Sequence, residues 1–424
     1  QWVEIERIPL SPNGKVDRRA LPIPASESSS TKTDRVAART ETEKTLVPLW
    51  AEVLQSSSED VTEDFFVAGG HSLKAMQLLS RVKRDRGVKI PMRAFFEHAT
   101  ITGLAKLIDE LKPTETDNAS LTIPIAPPAD DYPLSFAQQR LWLLHQLGGE
   151  TAYNMPEAYR IKGPVDGDAL ETAIREIISR HEALRTGFKE VGGDPVQIVW
   201  DHVPFSIKRI DLTAADDAEF QARALADREA ADSFDLTSPP LLRGTLIELN
   251  SEDWVYLQTI HHIVGDGWSG NVLYREIFAL YHAAISGSPE PLPPLRIHYK
   301  DFAIWQKNTS WEREESYWMS ALRGAPDSLR LPYDFPADNL RDFRGDHENF
   351  QLSAESTERL RLVARDRKTT VANTLLAVFD LLLFQLTKQA DFCIGVSHAN
   401  RNHPDLENLL GFFVNLLPVR VRLD

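Results

Sequence analysis

Apolar positions along this chain fall into stretches of two different periods. Trp254-Val255-Tyr256-Leu257-Gln258-Thr259-Ile260 is rich in β-branched and aromatic residues and predicts a strand. Beyond it, Leu273, Ile277, Leu280 and Tyr281 recur at helical spacing and predict a helix. The joint between them is His261-His262-Ile263-Val264-Gly265-Asp266-Gly267, a strand-to-helix corner with two imidazoles, a carboxylate and two glycines. Successive side chains of an extended chain point to opposite sides. One histidine is therefore expected to face the core and the other an opening.

The same rhythms divide the rest of the chain. Residues 1–25 are turn-rich, with Asn13-Gly14 as the strongest turn signal. Residues 26–40 are Ser/Thr-rich and charged without periodicity, hence a linker. A small helical unit is expected over 41–111. Leu46, Leu49, Trp50, Val53 and Leu54 mark one apolar helix face, and Pro48 fits that helix only in its first turn. Gly69 and Gly70 end a loop, and a helix opens at Ser72 with Leu73, Met76, Leu79 and Val82 behind it. Residues 112–131 hold Pro113, Pro124, Pro127 and Pro128 and read as a semi-extended linker. About 20 residues at ~3.3 Å each reach up to roughly 66 Å, enough for the helical unit to dock in more than one place.

From Tyr132 the pattern is that of a large α/β region. Ser135 and Gln138 form a Ser-x-x-Gln capping box at a helix start. Asp168 is expected to cap a second helix, with Leu170, Ile174, Ile177 and Ile178 inside. Strands are predicted near 195–200, 240–248 and 254–260, and a helix-rich second lobe from about 299. Phe392-Cys393-Ile394-Gly395-Val396 reads as a further strand. The longest apolar stretch, 375–386, is too short to span a bilayer and contains Asp380, so it predicts a buried helix.

Composition narrows the function. At 424 residues, two or three domains are expected, and 42% hydrophobic with 26% charged residues marks a soluble globular chain. A net charge of −15 argues against nucleic-acid binding, which rests on cationic patches. The single cysteine, Cys393, excludes an intrachain disulfide and fits a reducing, cytoplasmic compartment. The first residues lack the basic and apolar regions of a signal peptide, and no membrane partner is expected.

Taken alone, the corner could be a core histidine, a surface histidine and an Asp-Gly turn. A metal site would use the same residue types, but no third ligand is suggested nearby and adjacent strand histidines diverge. A Ser-His-Asp hydrolase would need a Gly-x-Ser-x-Gly elbow, which is missing from the sequence. What remains is an imidazole that accepts a proton or orients a substrate.

Longer strings sharpen this. Ile8-Pro9-Leu10-Ser11-Pro12-Asn13-Gly14-Lys15-Val16-Asp17-Arg18 resembles the last motif of nonribosomal peptide synthetase adenylation domains, in which the lysine matching Lys15 contacts the acyl-adenylate. Residues 1–25 then read as the tail of an upstream adenylation domain, and Lys15 has no substrate here. Asp64-Phe65-Phe66-Val67-Ala68-Gly69-Gly70-His71-Ser72-Leu73 resembles the attachment site of peptidyl carrier domains, which implies a covalent 4′-phosphopantetheine arm on Ser72, added by a phosphopantetheinyl transferase. A phosphodiester at a helix N-terminus meets free N–H groups and the positive end of the dipole.

Five stretches, 135–144, 180–188, 261–269, 299–306 and 394–415, resemble in order the motifs of the condensation domain of the same synthetases. Val396-Ser397-His398 departs from the family's usual Thr-Pro-Val type of sequence there. The implied fold is multidomain: a small helical-bundle carrier, then a two-lobed α/β domain like chloramphenicol acetyltransferase. Its first lobe covers 132–298 and its second 299–424, incomplete because the family's domain continues further. The implied chemistry joins a donor aminoacyl or peptidyl thioester to an acceptor aminoacyl thioester from a downstream carrier. Within the implied catalytic set of His261, His262, Asp266 and Gly267, His262 positions or deprotonates the acceptor amine and His261 is a structural support. Asp266 is ion-paired to an arginine, with Arg185 as the candidate. Gly267 lets a backbone N–H approach the oxyanion, and Trp268 and Ser269 line the acceptor side of a tunnel. An epimerisation domain or a non-catalytic domain recruiting a tailoring enzyme would share the fold. The Ala137-Gln138-Gln139-Arg140-Leu141-Trp142 opening favours condensation over the first, and intact His262 and Asp266 over the second.

Overall fold

The computed structural model describes residues 36–54, 56, 60–70, 72–88, 90–111, 122–288, 292–334 and 348–423. The adenylation-tail motif with Lys15, and linker residues 26–35 and 112–121, lie outside the described residues. The described residues divide into two compact units, one of 36–78 and 90–111 and one of 79–88 and 122–423.

The first unit is built from α1 (Glu41–Leu54), the start of α2 (Ser72–Arg86) as far as Leu78, α3 (Met92–Glu97) and α4 (Ile101–Glu110). α1 buries Leu46, Trp50, Val53 and Leu54. Pro48 lies inside α1 rather than in its first turn. It is exposed, so water can serve the carbonyl that its missing N–H leaves unbonded. Thr100 caps α4 by accepting from the Gly103 N–H. Thr42 Oγ1 donates to Asp109 Oδ1 at 2.6 Å and ties α1 to α4.

The loop before α2 is held from within. Asp64 Oδ1 accepts the Phe66 and Val67 N–H groups. Phe65 is fully buried, edge-on to Trp50 at 4.9 Å and Phe95 at 5.2 Å. Gly69 has φ +92°, and a Cβ on Gly70 would sit 2.2 Å from the Phe65 ring. Both glycines are thus needed to bring the chain to Ser72 in this shape.

The second unit opens with β1 (Tyr132–Pro133) and α5 (Phe136–Gln146), followed by β2 (Asn154–Lys162) and α6 (Gly167–Arg180). Next come β3 (Thr186–Val191), β4 (Asp194–Val199), β5 (Lys208–Asp211), α7 (Ala218–Ala231), β6 (Leu242–Asn250) and β7 (Asp253–His261). The remaining elements are α8 (Gly267–Ser286), α9 (Tyr299–Asn308), α10 (Glu312–Ala321), α11 (Ala354–Asp366), α12 (Val371–Thr387), β8 (Asp391–His398) and β9 (Asn415–Arg422). Strand order is β2-β7-β6-β5 in the main sheet, β1-β4-β3 in a second and β8-β9 in a third. The capping box at Ser135 and Gln138 forms as expected. The cap of α6 is Asp166, not Asp168, which falls in the first turn.

Alternation along β6 and β7 sorts the core. Leu242, Leu246, Tyr256 and Ile260 pack with Leu170, Ile174 and Ile177 of α6 and with Val272, Leu273 and Ile277 of α8. Ile247 and Leu257 point the other way, toward Leu212 and Ala222 of the α7 side. Phe302 of α9 joins the first of these cores. The 375–386 stretch is helical but not buried as expected. Leu375, Val378, Phe379, Leu381, Leu382 and Leu386 are exposed, and Leu383 is the apolar residue of α12 that is buried, against Phe392 and Val421. A helix apolar all round needs neighbours all round, and here the β8-β9 pair covers one side. No single helix among the described residues is long and apolar enough to cross a membrane.

Gly70→Ala is expected to destabilise the helical unit by about 1–3 kcal/mol, the cost of overpacking against Phe65. A thermal melt of the variant beside the parent chain measures it.

Candidate functional site

β7 runs straight into the corner. Its last residue, His261, is fully buried, and the chain then tightens into a 3-10 turn, His262–Val264. His261 Nδ1 accepts the Ile263 N–H at 3.1 Å. The His262 N–H bonds the Tyr153 carbonyl at 2.9 Å. The two histidines do diverge, one buried and one half-buried, but the turn rather than the strand pleat turns His262 outward.

His262 Nδ1 lies 2.7 Å from the Gly265 carbonyl oxygen. A carbonyl only accepts, so Nδ1 holds a proton, and in the neutral ring Nε2 keeps its lone pair. Nε2 has no protein partner among the described residues. Phe412 stands against the ring, with centroids 4.7 Å apart. Burial lowers the His261 pKa to about 3, helped by nearby His145, His262 and Arg243, so that ring stays neutral.

Asp266 is fully buried and caps α8. Its Oδ1 accepts the Ser269 N–H at 2.8 Å and lies 3.0 Å from Arg401 Nη2, while Oδ2 accepts the Phe413 N–H at 3.0 Å. The arginine partner is thus Arg401, not Arg185. Arg185 is half-buried and donates to the carbonyls of Trp200 and Asp201. The correct partner lies 135 residues away in sequence, beyond any local pattern. Arg401 is itself buried, donates to the carbonyls of Leu406 and Leu409, and stacks 4.2 Å from the Phe413 ring. Burial lowers its pKa against the pull of Asp266.

One further expectation changes here. Ser269 is 1% exposed and every polar contact it makes is internal. Its hydroxyl lies 2.8 Å from Asp266 Oδ1 and 2.9 Å from the Gly411 carbonyl, and accepts from Arg401 Nη2 and the Gly411 N–H. It therefore locks the corner rather than lining a path. Trp268 Nε1 donates to the Glu407 carbonyl at 2.9 Å, and its ring lies 5.6 Å from the Arg401 guanidinium. It too holds the 401–413 segment in place. Gly267 is exposed at the first position of α8, and a Cβ there would meet nothing within 4 Å. The fold does not need a glycine there. Its N–H points from the positive end of the helix.

Four of the five expected stretches meet at this corner. Tyr299 donates to the Phe412 carbonyl at 2.5 Å and shares a 2.8 Å hydrogen bond with Ser135. Burial raises its phenol pKa. A Cβ on Gly411 would fall 1.9 Å from the Tyr299 ring. Gln138 Nε2 reaches the Ile263 carbonyl at 3.3 Å. The fifth stretch acts through α8: buried His181 bonds Glu276 at 2.8 Å, beside Arg180 at 3.1 Å. Sequence reasoning misses Arg401, Gly411 and Tyr299 as parts of the site. Their only signal is membership of the 299–306 and 394–415 stretches. Among the described residues, no group of three His, Cys, Asp or Glu could hold a metal ion.

In the helical unit, Ser72 is the first residue of α2, at the end of the Asp64–Gly70 loop. A phosphodiester fits such a helix N-terminus, where N–H groups lack intrahelical acceptors.

Comparison with known proteins agrees. Residues 128–424 match the condensation-domain family, and residues 44–108 match the phosphopantetheine attachment site family. The chain belongs to the condensation-domain family of nonribosomal peptide synthetases, with a carrier domain ahead of it. A linear gramicidin synthase protein of Brevibacillus parabrevis is 40% identical over 437 residues, covering all of this chain and 8% of that protein. Malpinin synthetase of Mortierella alpina is 39% identical over 428 residues, covering all of this chain and 6% of that protein. The chain thus spans less than a tenth of these relatives. The complex of the X-domain and OxyB from teicoplanin biosynthesis superposes with a TM-score of 0.63 at 28% identity, over 71% of this chain and 67% of that one. The first condensation domain of the calcium-dependent antibiotic synthetase, with a substrate analogue, gives 0.59 at 24% identity over 70% of each, a likeness of fold.

Removing either member of the buried pair strands the other's charge. Arg401→Met is expected to cost about 3–5 kcal/mol in urea unfolding, and combining it with Asp266→Asn should cost clearly less than the sum. A second prediction concerns acid. Burial depresses the folded pKa of His261, and those of His145, His181 and His298 in the same direction. Their neutral forms favour the fold fully above the unfolded pKa near 6.5, and that stability drains as pH falls below it, by about 1.4 kcal/mol per unit for one such group. Urea unfolding between pH 7 and 4.5 should show that slope, reduced in His261→Asn.

Proposed function

We propose that this chain is a working stretch of a peptide synthetase that forms an amide bond between two carrier-bound acyl groups. The carrier unit presents the donor from Ser72, and the α/β unit receives an acceptor aminoacyl thioester from a downstream carrier. An upstream adenylation domain loads the donor, and a phosphopantetheinyl transferase modifies the Ser72 hydroxyl. The arm supplies a thiol that carries the acyl group as a thioester. Cys393, a free thiol, supports a cytoplasmic, reducing setting.

The observation that carries this reading is the His262 ring. With its proton committed to the Gly265 carbonyl, Nε2 is a free acceptor beside Phe412. An amine is mostly ammonium near neutral pH and must lose a proton before it attacks. Nε2 can take that proton or hold the amine by its N–H. The amide bond forms as the donor C–S bond breaks, and the Gly267 N–H is the donor best placed to meet negative charge on the donor oxygen. Asp266 and His261 make no step of their own. They hold the turn that aims His262.

With the donor loaded on Ser72 and an aminoacyl acceptor carrier added, His262→Ala is expected to lower amide formation by about 10²–10⁴-fold while leaving loading intact. Ser72→Ala should abolish arm attachment by mass spectrometry. Full product from His262→Ala would refute the role of this ring.

A further inference from the structure

Behind the corner lies a second polar site that the proposed reaction does not use. His261 and Thr259 of β7, and Asn154 opposite His261 on β2, share one face of the sheet. Asn154 Nδ2 bonds the carbonyls of Ala230 and Asp232 at the end of α7. His145, from α5, meets the His261 ring edge-on with centroids 5.9 Å apart. Four buried polar atoms on these side chains have no protein partner among the described residues: His261 Nε2, His145 Nδ1, Asn154 Oδ1 and Thr259 Oγ1.

The hydrogen count is specific. His261 Nδ1 accepts from Ile263, so its proton sits on Nε2. That N–H is a buried donor with no protein acceptor among the described residues. Buried polar groups are rarely left unpaired, and a buried water makes about three hydrogen bonds. Two bonds of about 2.9 Å through one water have a reach comparable with the 5.9 Å between the two ring centroids.

We propose that one buried water accepts from His261 Nε2–H and donates to His145 Nδ1 and Asn154 Oδ1, which makes His145 a positioning residue for His262. This rests on the reading of His262 given above. The satisfied Nε2–H keeps His261 in the tautomer whose Nδ1 can hold the Ile263 N–H. That bond shapes the 262–264 turn, and the turn places the Gly265 carbonyl that fixes the His262 proton. The other tautomer would set an Nδ1–H against the Ile263 N–H, two donors face to face, and loosen the turn. Burial lowers the His145 pKa and keeps the ring neutral, against the opposing pull of Glu150 and Asp235, and its Nδ1 accepts when the proton sits on Nε2.

The test uses the full 424-residue chain, ¹⁵N-labelled at histidine, with His261 assigned by its own substitution. The parent should show His261 as the Nε2–H tautomer. His145→Leu should give a mixed tautomer and a roughly tenfold lower kcat for amide formation with unchanged acceptor KM, while His145→Gln, whose amide oxygen accepts, stays within about twofold. A high-resolution crystal structure should place a water within about 3.2 Å of both His261 Nε2 and His145 Nδ1. Unchanged tautomer and kcat in His145→Leu, or a crystal structure without that water, would overturn the proposal. If the parent itself made no amide, the functional reading would fall, while the tautomer and the water would still decide this one.

Discussion

A buried carboxylate facing a buried guanidinium cannot be half-made, and the Asp266–Arg401 pair sets that condition for this domain. Both side chains are removed from water, so each needs the other and needs its remaining polar atoms satisfied. The surrounding contacts meet most of that need, leaving Arg401 Nε without a protein partner among the described residues. Ser269 bridges the two, the Phe413 N–H takes the second carboxylate oxygen, and the carbonyls of Leu406 and Leu409 take the other guanidinium nitrogen. The result pins the start of α8 to the 401–413 segment. Phe412 is thereby set against His262, and Tyr299 closes over Gly411.

The adjacent histidines divide the labour by solvent access and by which nitrogen is engaged. His261 commits its Nδ1 to a backbone N–H and is kept neutral by burial. His262 donates from Nδ1 to a backbone carbonyl and leaves Nε2 without a protein partner among the described residues. The carrier unit uses the same kind of local hydrogen bonding. The turn held by Asp64, the buried Phe65 ring and two glycines bring the chain to the head of α2, so that Ser72 stands at a helix N-terminus.

Much of this is legible in the residues alone. The strand 254–260, the helix behind it, the Ser135–Gln138 box and the helix starting at Ser72 follow from periodicity and capping, which act over a few residues. The ordered motifs point to the carrier and to the condensation family. Arg185 and Ser269 take other roles than expected because those roles turn on partners far along the chain. Pro48 and the 375–386 helix differ from expectation for a related reason, since what a helix tolerates or buries depends on which faces its neighbours cover.

The amino-acid sequence by itself determined which segments are strand or helix, where the helices start, and which residue types crowd the corner at 261–267. Only the tertiary structure decided that Arg401 answers Asp266, that Gly411 must lack a Cβ, and that the 3-10 turn frees Nε2 of His262. Hydrogen-bond caps and side-chain periods are local and can be read along the chain. The pairing of buried charges is settled by packing between segments more than a hundred residues apart.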